Sequence, residues 1–250
     1  YNRHEFAATT WPRLAWMPSG LRAIASSAVR SLLLPARLAA KRDKAARLLA
    51  AHSDADLYQH LVSNWEDPAQ VVVGAREPPT LITKPPSALS ALRETECQMA
   101  LDALTYLPDD ILVKVDRAAM GVSLETRVPL LDHRVVELAW RLPRSLKLRR
   151  ERGRWVSKWA LRQVLYRHVP KHLIERPKMG FSMPVSDWLR GPLRSWAEGL
   201  LSRERLGREG YFDPRAVRIA WEDLLRGNSS RQNHVWLALM FQAWLEKYKK

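Results

Sequence analysis

The stretch YLPDDILVKVDRAAMGVSLETRVP, residues 106–129, departs from the patterning of the rest of the chain. Apolar residues recur at helical spacing from Pro108 to Met120, which predicts a helix that ends near Gly121. The charges that interrupt this apolar frame, and that are therefore predicted to be buried, are Lys114, Asp116, Arg117, Glu125 and Arg127. Buried charges persist when they are paired or bind a charged ligand. The pattern predicts a functional site here, with a structural network of ion pairs between helices as the alternative.

Helical spacing extends outward from this stretch over most of the chain, and no segment alternates cleanly enough to predict a long strand. Further helices are predicted at 88–104, 134–141 and 155–168, and from residues 184, 192, 214 and 229 onward. Four prolines within 76–87 deny backbone donors and favour extended structure, so this segment is predicted to be a surface loop or linker. The sequence therefore predicts an all-α fold.

Apolar stripes on two of the predicted helices indicate which faces should be buried. The first stripe is predicted to face a core and consists of Leu21, Ile24, Ala25, Ala28, Val29 and Leu32. The last helix carries apolar residues around much of its circumference and is predicted to be largely buried through Val235, Trp236, Leu239, Met240, Trp244 and Leu245.

Composition places the chain among globular proteins. Its 250 residues are 46% hydrophobic and 27% charged, which suffices for one or two ordinary cores. The single cysteine, Cys97, cannot form an internal disulfide or a multi-cysteine metal site and fits a reducing cytoplasm. No apolar run approaches the roughly 20 residues that span a bilayer. The chain opens at Tyr1 without an initiator methionine or leader, so it is expected to be a fragment of a longer protein.

The chain is strongly basic, with 41 Lys and Arg against 26 Asp and Glu and a formal net charge of +15. Such a charge raises the alternative of a nonenzymatic helical module that binds nucleic acid or an anionic surface. Solvated arginine-rich helix faces, or a missing acidic domain that balances the charge, explain the same composition. A steep loss of binding with salt would separate the first interpretation from the other two.

A second cluster, IERPKMGFSMP at residues 174–184, places two cations around a proline and then a glycine. A short loop of this kind can present Lys178 inward, where its compact ammonium group could neutralise a phosphoryl oxygen. Burial could also lower the pKa of such a lysine far enough for proton transfer. A solvent-exposed loop lysine is the alternative.

Several ordered motifs resemble the synthetase domain of the class II, glutamine-hydrolysing asparagine synthetases. They are KVDRAAM at 114–120, LETRVPLLDH at 124–133, LP at 142–143, KWALR at 158–162, RPKMGF at 176–181, Pro184, and WL at 188–189. The resemblance covers residues 108–189 densely and the flanks more loosely. Linked motifs in a fixed order are far more specific than one isolated motif.

The resemblance implies a helical C-terminal portion, residues 1–250, of an α/β synthetase domain of the adenine-nucleotide α-hydrolase-like (ATP pyrophosphatase) type. Its parallel sheet and pyrophosphate loop would lie upstream, as would a glutaminase domain. The implied enzyme adenylates aspartate with ATP and Mg²⁺ and lets glutamine-derived ammonia attack the acyl-adenylate. The isolated chain is expected to be inactive.

Residue roles are carried over from the same resemblance. Lys178 is expected to stabilise pyrophosphate or the charged transition state, and Glu125 to accept a proton from the attacking amine or to orient the site. Arg127, Arg117 and Lys158 would pair with Glu125 or bind phosphate oxygens. Structural salt bridges are the alternative for all of these.

Asp116 is expected to orient a basic neighbour rather than bind metal, and no metal ligand is predicted within these residues. The implied small-molecule partners are aspartate, glutamine and ATP, in a cytoplasmic enzyme that binds no specific nucleic acid and no membrane. A homodimer is left open. Related domains activate other carboxylates, so aspartate is the first candidate substrate and other carboxylates are alternatives.

Overall fold

The structure is a computed structural model, and it describes residues 11–32, 36–65, 67–151, 153–176 and 183–249. The chain divides into two compact units. Unit 1 comprises 1–9 and 90–181, and unit 2 comprises 10–89 and 182–250. No helix of the described residues is both long and apolar enough to cross a membrane.

The helices and strands follow one another in a simple order. Those before residue 90 are α1 (Trp11–Ala15), α2 (Ser19–Ser31), α3 (Ala36–Ala50), α4 (Asp54–Val62) and the 3₁₀ turn Pro68–Gln70, and a second 3₁₀ turn, Ser87–Ala91, spans the boundary. Unit 1 continues with α5 (Glu94–Leu104), a π-helical turn (Leu107–Leu112), α6 (Val113–Met120), the 3₁₀ turn Pro129–Leu131, α7 (His133–Arg141), α8 (Arg144–Lys147), β1 (Leu148–Glu151), β2 (Arg154–Ser157), α9 (Trp159–Leu165) and α10 (Lys171–Ile174). Unit 2 resumes with α11 (Val185–Arg190), α12 (Arg194–Leu200), α13 (Arg203–Glu209), α14 (Pro214–Leu225), the 3₁₀ turn Ser229–Arg231 and α15 (Gln232–Tyr248).

The prediction of a helical chain is confirmed for the described residues, where β1 and β2 form one antiparallel hairpin. The predicted start of a helix at residue 155 is wrong, because Arg154–Ser157 is a strand and α9 begins at Trp159. Gly153 has a φ of 80°, a left-handed conformation that lets the chain reverse between the strands. The described residues show no larger sheet.

Unit 2 has a contiguous hydrophobic core. Trp221, Leu224 and Leu239 are fully buried at its centre, on α14 and α15. A bridge between Val72 and Phe212 joins the segment after α4 to the loop before α14. At that loop Asp213 caps α14 by accepting hydrogen bonds of 2.8 Å from the backbone N–H groups of Arg215 and Ala216. Local capping and distant packing therefore fix the same loop.

The stripe on α2 does not face a core as predicted. Leu21 and Ile24 are 55% and 67% exposed, whereas Arg22 and Ser26 are buried. The guanidinium group of Arg22 donates to the carbonyl oxygen of Ala15 at 3.1 Å, and Ser26 Oγ donates to the carbonyl oxygen of Ala46 at 2.8 Å. Backbone carbonyl groups of α1 and α3 thus accept hydrogen bonds from Arg22 Nη1 and Ser26 Oγ, and the polar face is the one that packs.

The last helix, α15, is buried along one side. Val235, Leu239 and Leu245 are at most 5% exposed, which agrees with the prediction for these positions. Met240 and Trp244 are 37% and 54% exposed, so the burial is not circumferential.

Candidate functional site

The candidate site begins at the π-helical turn Leu107–Leu112, which continues directly into α6. Pro108 lies at the start of this turn, where a backbone N–H would have no acceptor within the turn, so proline's lack of an N–H costs no hydrogen bond. One carboxylate of the turn, Asp110, contacts Lys114 with 2.5 Å between Oδ1 and Nζ. This hydrogen bond is the main reason that the pKa of Lys114 is raised above its ordinary value. Single π turns within helices are frequent at functional sites.

The candidates Asp116 and Arg117 lie next on α6, and both are exposed, as is Lys114. The prediction that these three charges are buried is therefore wrong within this chain. After α6 the chain reverses through Gly121 and Ser123, and Ser123 has a φ of 60°. The N–H of Leu124 donates to the carbonyl oxygen of Ala119 at 2.9 Å, which closes the reversal. This tight turn places the segment that carries Glu125 directly after the helix that carries Asp116.

Glu125 and Arg127 form an ion pair with each other. Their side chains are 68% and 82% exposed, so the prediction that these charges are buried is wrong within this chain. The reason is that the apolar frame around them is itself uncovered: Val122 is 75% and Leu124 is 58% exposed. An ion pair this exposed contributes about 0–1 kcal/mol, and both groups are accessible to a ligand.

Asp132, which follows the LETRVPLL segment, begins α7. Its side chain accepts hydrogen bonds of 2.9 Å from the backbone N–H and from the guanidinium group of Arg134. The guanidinium contact is the main cause that lowers the pKa of Asp132. Within the motif LETRVPLLDH, Asp132 therefore has a structural role as a helix cap.

Lys158 lies between β2 and α9, at the N-cap position of α9. It has φ and ψ of 56° and 38°, the left-handed conformation that few residues other than glycine adopt. Its side chain is exposed. A non-glycine residue held in this conformation between a strand and a helix is a reason to expect a functional constraint on its position.

Three side chains that sequence reasoning did not group lie together near the second cluster. Glu175 accepts a hydrogen bond of 2.6 Å from Arg162 and another from the hydroxyl group of Tyr166. The guanidinium Nε of Arg162 also donates to the carbonyl oxygen of Ser157 at 3.0 Å. The hydrogen bond from Tyr166 is the main cause that lowers the pKa of Glu175, and the same bond raises the pKa of Tyr166.

This trio anchors the chain directly before RPKMGF. Lys178 follows Glu175 by three residues in the sequence and lies outside the described residues. The sequence offers one signal for this trio: Arg162 and Tyr166 are four residues apart, a spacing that brings two side chains to the same side of a helix. Their acidic partner, Glu175, stands beside Arg176 in the sequence.

Metal binding finds no support among the described residues, since no group of three or more His, Cys, Asp or Glu side chains lies where it could hold an ion. The structure pairs Glu125 with Arg127, sets Asp116 and Arg117 on the preceding helix, and carries Lys158 on a separate element.

Comparison with known families gives this arrangement its class. The family model described as asparagine synthase matches residues 1–246, nearly the whole chain. The chain therefore belongs to the asparagine synthase family, a family of amide-forming ligases.

Individual relatives carry names of the same family or of related activities. One relative, from Mycobacterium tuberculosis, is provisionally named a glutamine-hydrolyzing asparagine synthetase. It is 38% identical to this chain over 167 residues, which cover 66% of this chain and 25% of that protein. Asparagine synthetase (glutamine-hydrolyzing) 1 of Bacillus subtilis is 30% identical over 144 residues, 58% of this chain and 22% of that protein. The amidase chyE of Penicillium rubens is 29% identical over 121 residues, 47% of this chain and 18% of that protein.

The chain thus spans about a quarter of the length of the mycobacterial relatives that it matches. No solved structure gives a significant match.

Proposed function

We propose that this chain is the helical C-terminal part of the synthetase region of a longer glutamine-dependent asparagine synthetase. The observation that carries the proposal is the family match over residues 1–246, together with relatives that this chain covers over only about a quarter of their length. The reaction, the substrates and the pyrophosphate loop of the whole enzyme are part of the proposal.

The uncovered apolar surface of unit 1 supports this placement. Val122, Leu138 and Leu124 are each more than half exposed, and surfaces of this kind mark sites where another layer of protein packs. We propose that the sheet of the synthetase domain covers this surface. The covered site would be drier, and the charges of Glu125 and Arg127 would then act in a medium of lower dielectric constant.

The proposed reaction has two steps. A carboxylate oxygen of aspartate attacks the α-phosphorus of ATP, and pyrophosphate leaves. Ammonia released from glutamine then attacks the acyl carbon, the bond to the carboxylate oxygen breaks, and AMP leaves with that oxygen. One relative is named an amidase, so the names within this group of relatives differ. Aspartate is our first choice of substrate for this chain.

Each candidate residue has a role that its chemistry allows. Lys178 stabilises the negative charge that develops on phosphoryl oxygens, since a positioned cation favours the transition state over the ground state. Glu125 takes the proton that the attacking amine loses, and Arg127 holds its carboxylate in place. Arg117 and Lys158 bind phosphate oxygens, and Asp116 orients a basic neighbour. The trio of Arg162, Tyr166 and Glu175 positions the start of the segment that carries Lys178.

The alternative of a basic nucleic-acid-binding module rests on the net charge of +15, which already counts every carboxylate. Several arginines form ion pairs with carboxylates of the chain: Arg134, Arg162, Arg205, Arg218 and Arg226. No feature of the described residues beyond the net charge favours that alternative.

Replacing Lys178 by Met in the full-length enzyme tests the proposal. The change keeps the length of the side chain and removes its charge, so we expect aspartate-dependent pyrophosphate release to fall about 10²- to 10³-fold. Glutamate production from glutamine should remain nearly intact. Arg should rescue poorly, because its planar head is wider than an ammonium group.

The matched control is Lys84→Met, the same change at an exposed lysine of the proline-rich loop, which should leave both activities unchanged. Pyrophosphate release by Lys178→Met at the rate of the unmodified enzyme would show that Lys178 has no part in the reaction.

A further inference from the structure

The last helix of unit 2, α15, has an exposed apolar face in addition to the face that it buries. Four residues form this exposed face, and we refer to them as the α15 seam: Leu237, Met240, Trp244 and Tyr248. Each is between 37% and 64% exposed. Their spacing of three and four residues places them along one side of the helix. Other residues of α15 fill the core of unit 2, so the seam is a second apolar surface on the same helix.

Ring contacts hold the aromatic part of the seam in place. Phe241 packs against the core, and its ring centroid lies 5.1 Å from that of Phe212 and 5.9 Å from that of Trp244. The ring of Trp244 lies in turn 6.0 Å from the ring of Tyr248. Because the rings are ordered by one another, they lose little conformational freedom when a partner covers them. Tyr, Trp and Met are also enriched at protein–protein interfaces.

The distribution of charge along α15 indicates which kind of partner fits the seam. Residues 235–245 contain no Asp, Glu, Lys, Arg or His, and the one lysine of the helix, Lys247, lies in its last turn. A nucleic acid or an anionic lipid surface would be attracted by cations along the length of the apolar face. The seam offers none before its end. It therefore fits an uncharged apolar surface, such as the face of another helix.

The seam also matches itself when it is reversed. α15 runs from Gln232 to Tyr248, so Met240 lies at its midpoint. If two copies pack antiparallel about a two-fold axis close to Met240, Leu237 of one copy lies opposite Trp244 of the second copy. Each apolar residue then meets an apolar residue, as a symmetric interface requires.

Electrostatics favours the antiparallel arrangement over the parallel one. Two antiparallel helices oppose their dipoles, whereas two parallel helices align them. An antiparallel pair also places the two Lys247 side chains roughly 20 Å apart along the seam, which exceeds the Debye length at physiological ionic strength. A parallel pair would bring the two lysines together.

We propose that the α15 seam packs antiparallel against the seam of a second copy of this chain and forms a symmetric dimer. None of the seam residues belongs to the motifs of residues 108–189, and the proposal does not rest on the reaction proposed above. A helix of 17 residues extends about 25 Å, so a single pair of helices buries less than the roughly 800 Å² per partner of a standard interface. The dimer should therefore dissociate on dilution.

Sedimentation velocity of the full chain at increasing concentrations tests the dimer. We expect the weight-average sedimentation coefficient to rise from that of a monomer toward that of a dimer. Trp244→Ala should weaken the association by at least about tenfold, because large aromatic residues dominate interfaces of this kind. The matched control is Trp16→Ala, which truncates a tryptophan of unit 2 that is 80% exposed and lies outside α15, and it should change the association by less than about twofold.

Both variants should keep the circular dichroism spectrum of the unmodified chain, because both side chains are more than half exposed. A chain that stays monomeric at every concentration would overturn the proposal and leave the seam to another partner. Equal weakening by the two variants would reveal non-specific apolar association and would overturn it as well.

Oxidative cross-linking tests the antiparallel arrangement separately, in a Cys97→Ser background that removes the native thiol. Met240→Cys should form a disulfide-linked dimer, because residue 240 lies beside the two-fold axis. Tyr248→Cys should not, because the two copies of residue 248 would be roughly 20 Å apart and a disulfide requires Cα atoms within about 7 Å. Cross-linking of Tyr248→Cys in place of Met240→Cys would contradict the proposal.

Discussion

Unit 1 and unit 2 are both helical, yet they use their apolar residues in opposite ways. Unit 2 buries Trp221, Leu224 and Leu239 completely within one contiguous core. The described part of unit 1 buries Ala100, Leu101 and Leu148, while most of its large apolar side chains are exposed. The motifs that identify the family are concentrated in unit 1. The unit that carries the motifs therefore leaves much of its apolar surface uncovered, whereas the other unit covers its own.

Paired truncations of one leucine in each unit give the largest effect. Leu239→Ala in unit 2 should lower the free energy of unfolding by about 2–5 kcal/mol, because Leu239 is fully buried and its removal leaves a cavity. Leu138→Ala in unit 1 should change it by less than about 0.5 kcal/mol, because Leu138 is 60% exposed on α7. Urea titrations followed by circular dichroism measure both. Equal losses in the two variants would contradict the contrast between the units.

Acid titration of Glu175 is expected to give a smaller effect, and it tests the hydrogen bonds that Glu175 accepts within unit 1. The pKa of Glu175 is lowered from its ordinary 4.5, so its pairing stabilises the fold above that pH and is lost as the pH falls through the lower folded value. Tyr166→Phe removes the main cause of the shift. We therefore expect the titration midpoint of Glu175 to rise toward 4.5, as measured by NMR of its carboxyl carbon.

Tyr248→Phe, at an exposed position of unit 2, is the control and should leave that midpoint unchanged. An unshifted midpoint in Tyr166→Phe would mean that Arg162 alone holds Glu175.

Local rules predicted the helical elements well and their buried faces less well. Spacing alone located the helix that ends at Met120, but it did not indicate that Leu107–Leu112 winds as a π turn, because both windings place apolar residues at similar intervals. On α2 the periodicity identified an apolar stripe, yet Arg22 and Ser26 were buried instead. Which face packs depends on carbonyl groups of other helices, and these are not visible in a local pattern.

The candidate site shows the same limit. Single residues such as Glu125 and Lys158 came from motifs, whereas the grouping of Arg162, Tyr166 and Glu175 did not, since Glu175 lies 13 residues from Arg162. Burial was misjudged for Glu125 and Arg127 because an apolar sequence neighbourhood was taken for a covered one. Whether a charged side chain is covered depends on which other parts of the protein pack over it, and the local sequence does not encode them.

If the full-length enzyme forms an acyl-adenylate, one carboxylate oxygen of aspartate must end in AMP, and an isotope label can follow it. The full-length enzyme is supplied with ATP, glutamine and aspartate labelled with oxygen-18 in its side-chain carboxylate, and the phosphorus products are analysed by mass spectrometry. The proposed steps break the bond between the acyl carbon and a carboxylate oxygen, so AMP should carry one labelled oxygen and pyrophosphate none. Unlabelled AMP, or label in inorganic phosphate with ADP as the other product, would contradict the account.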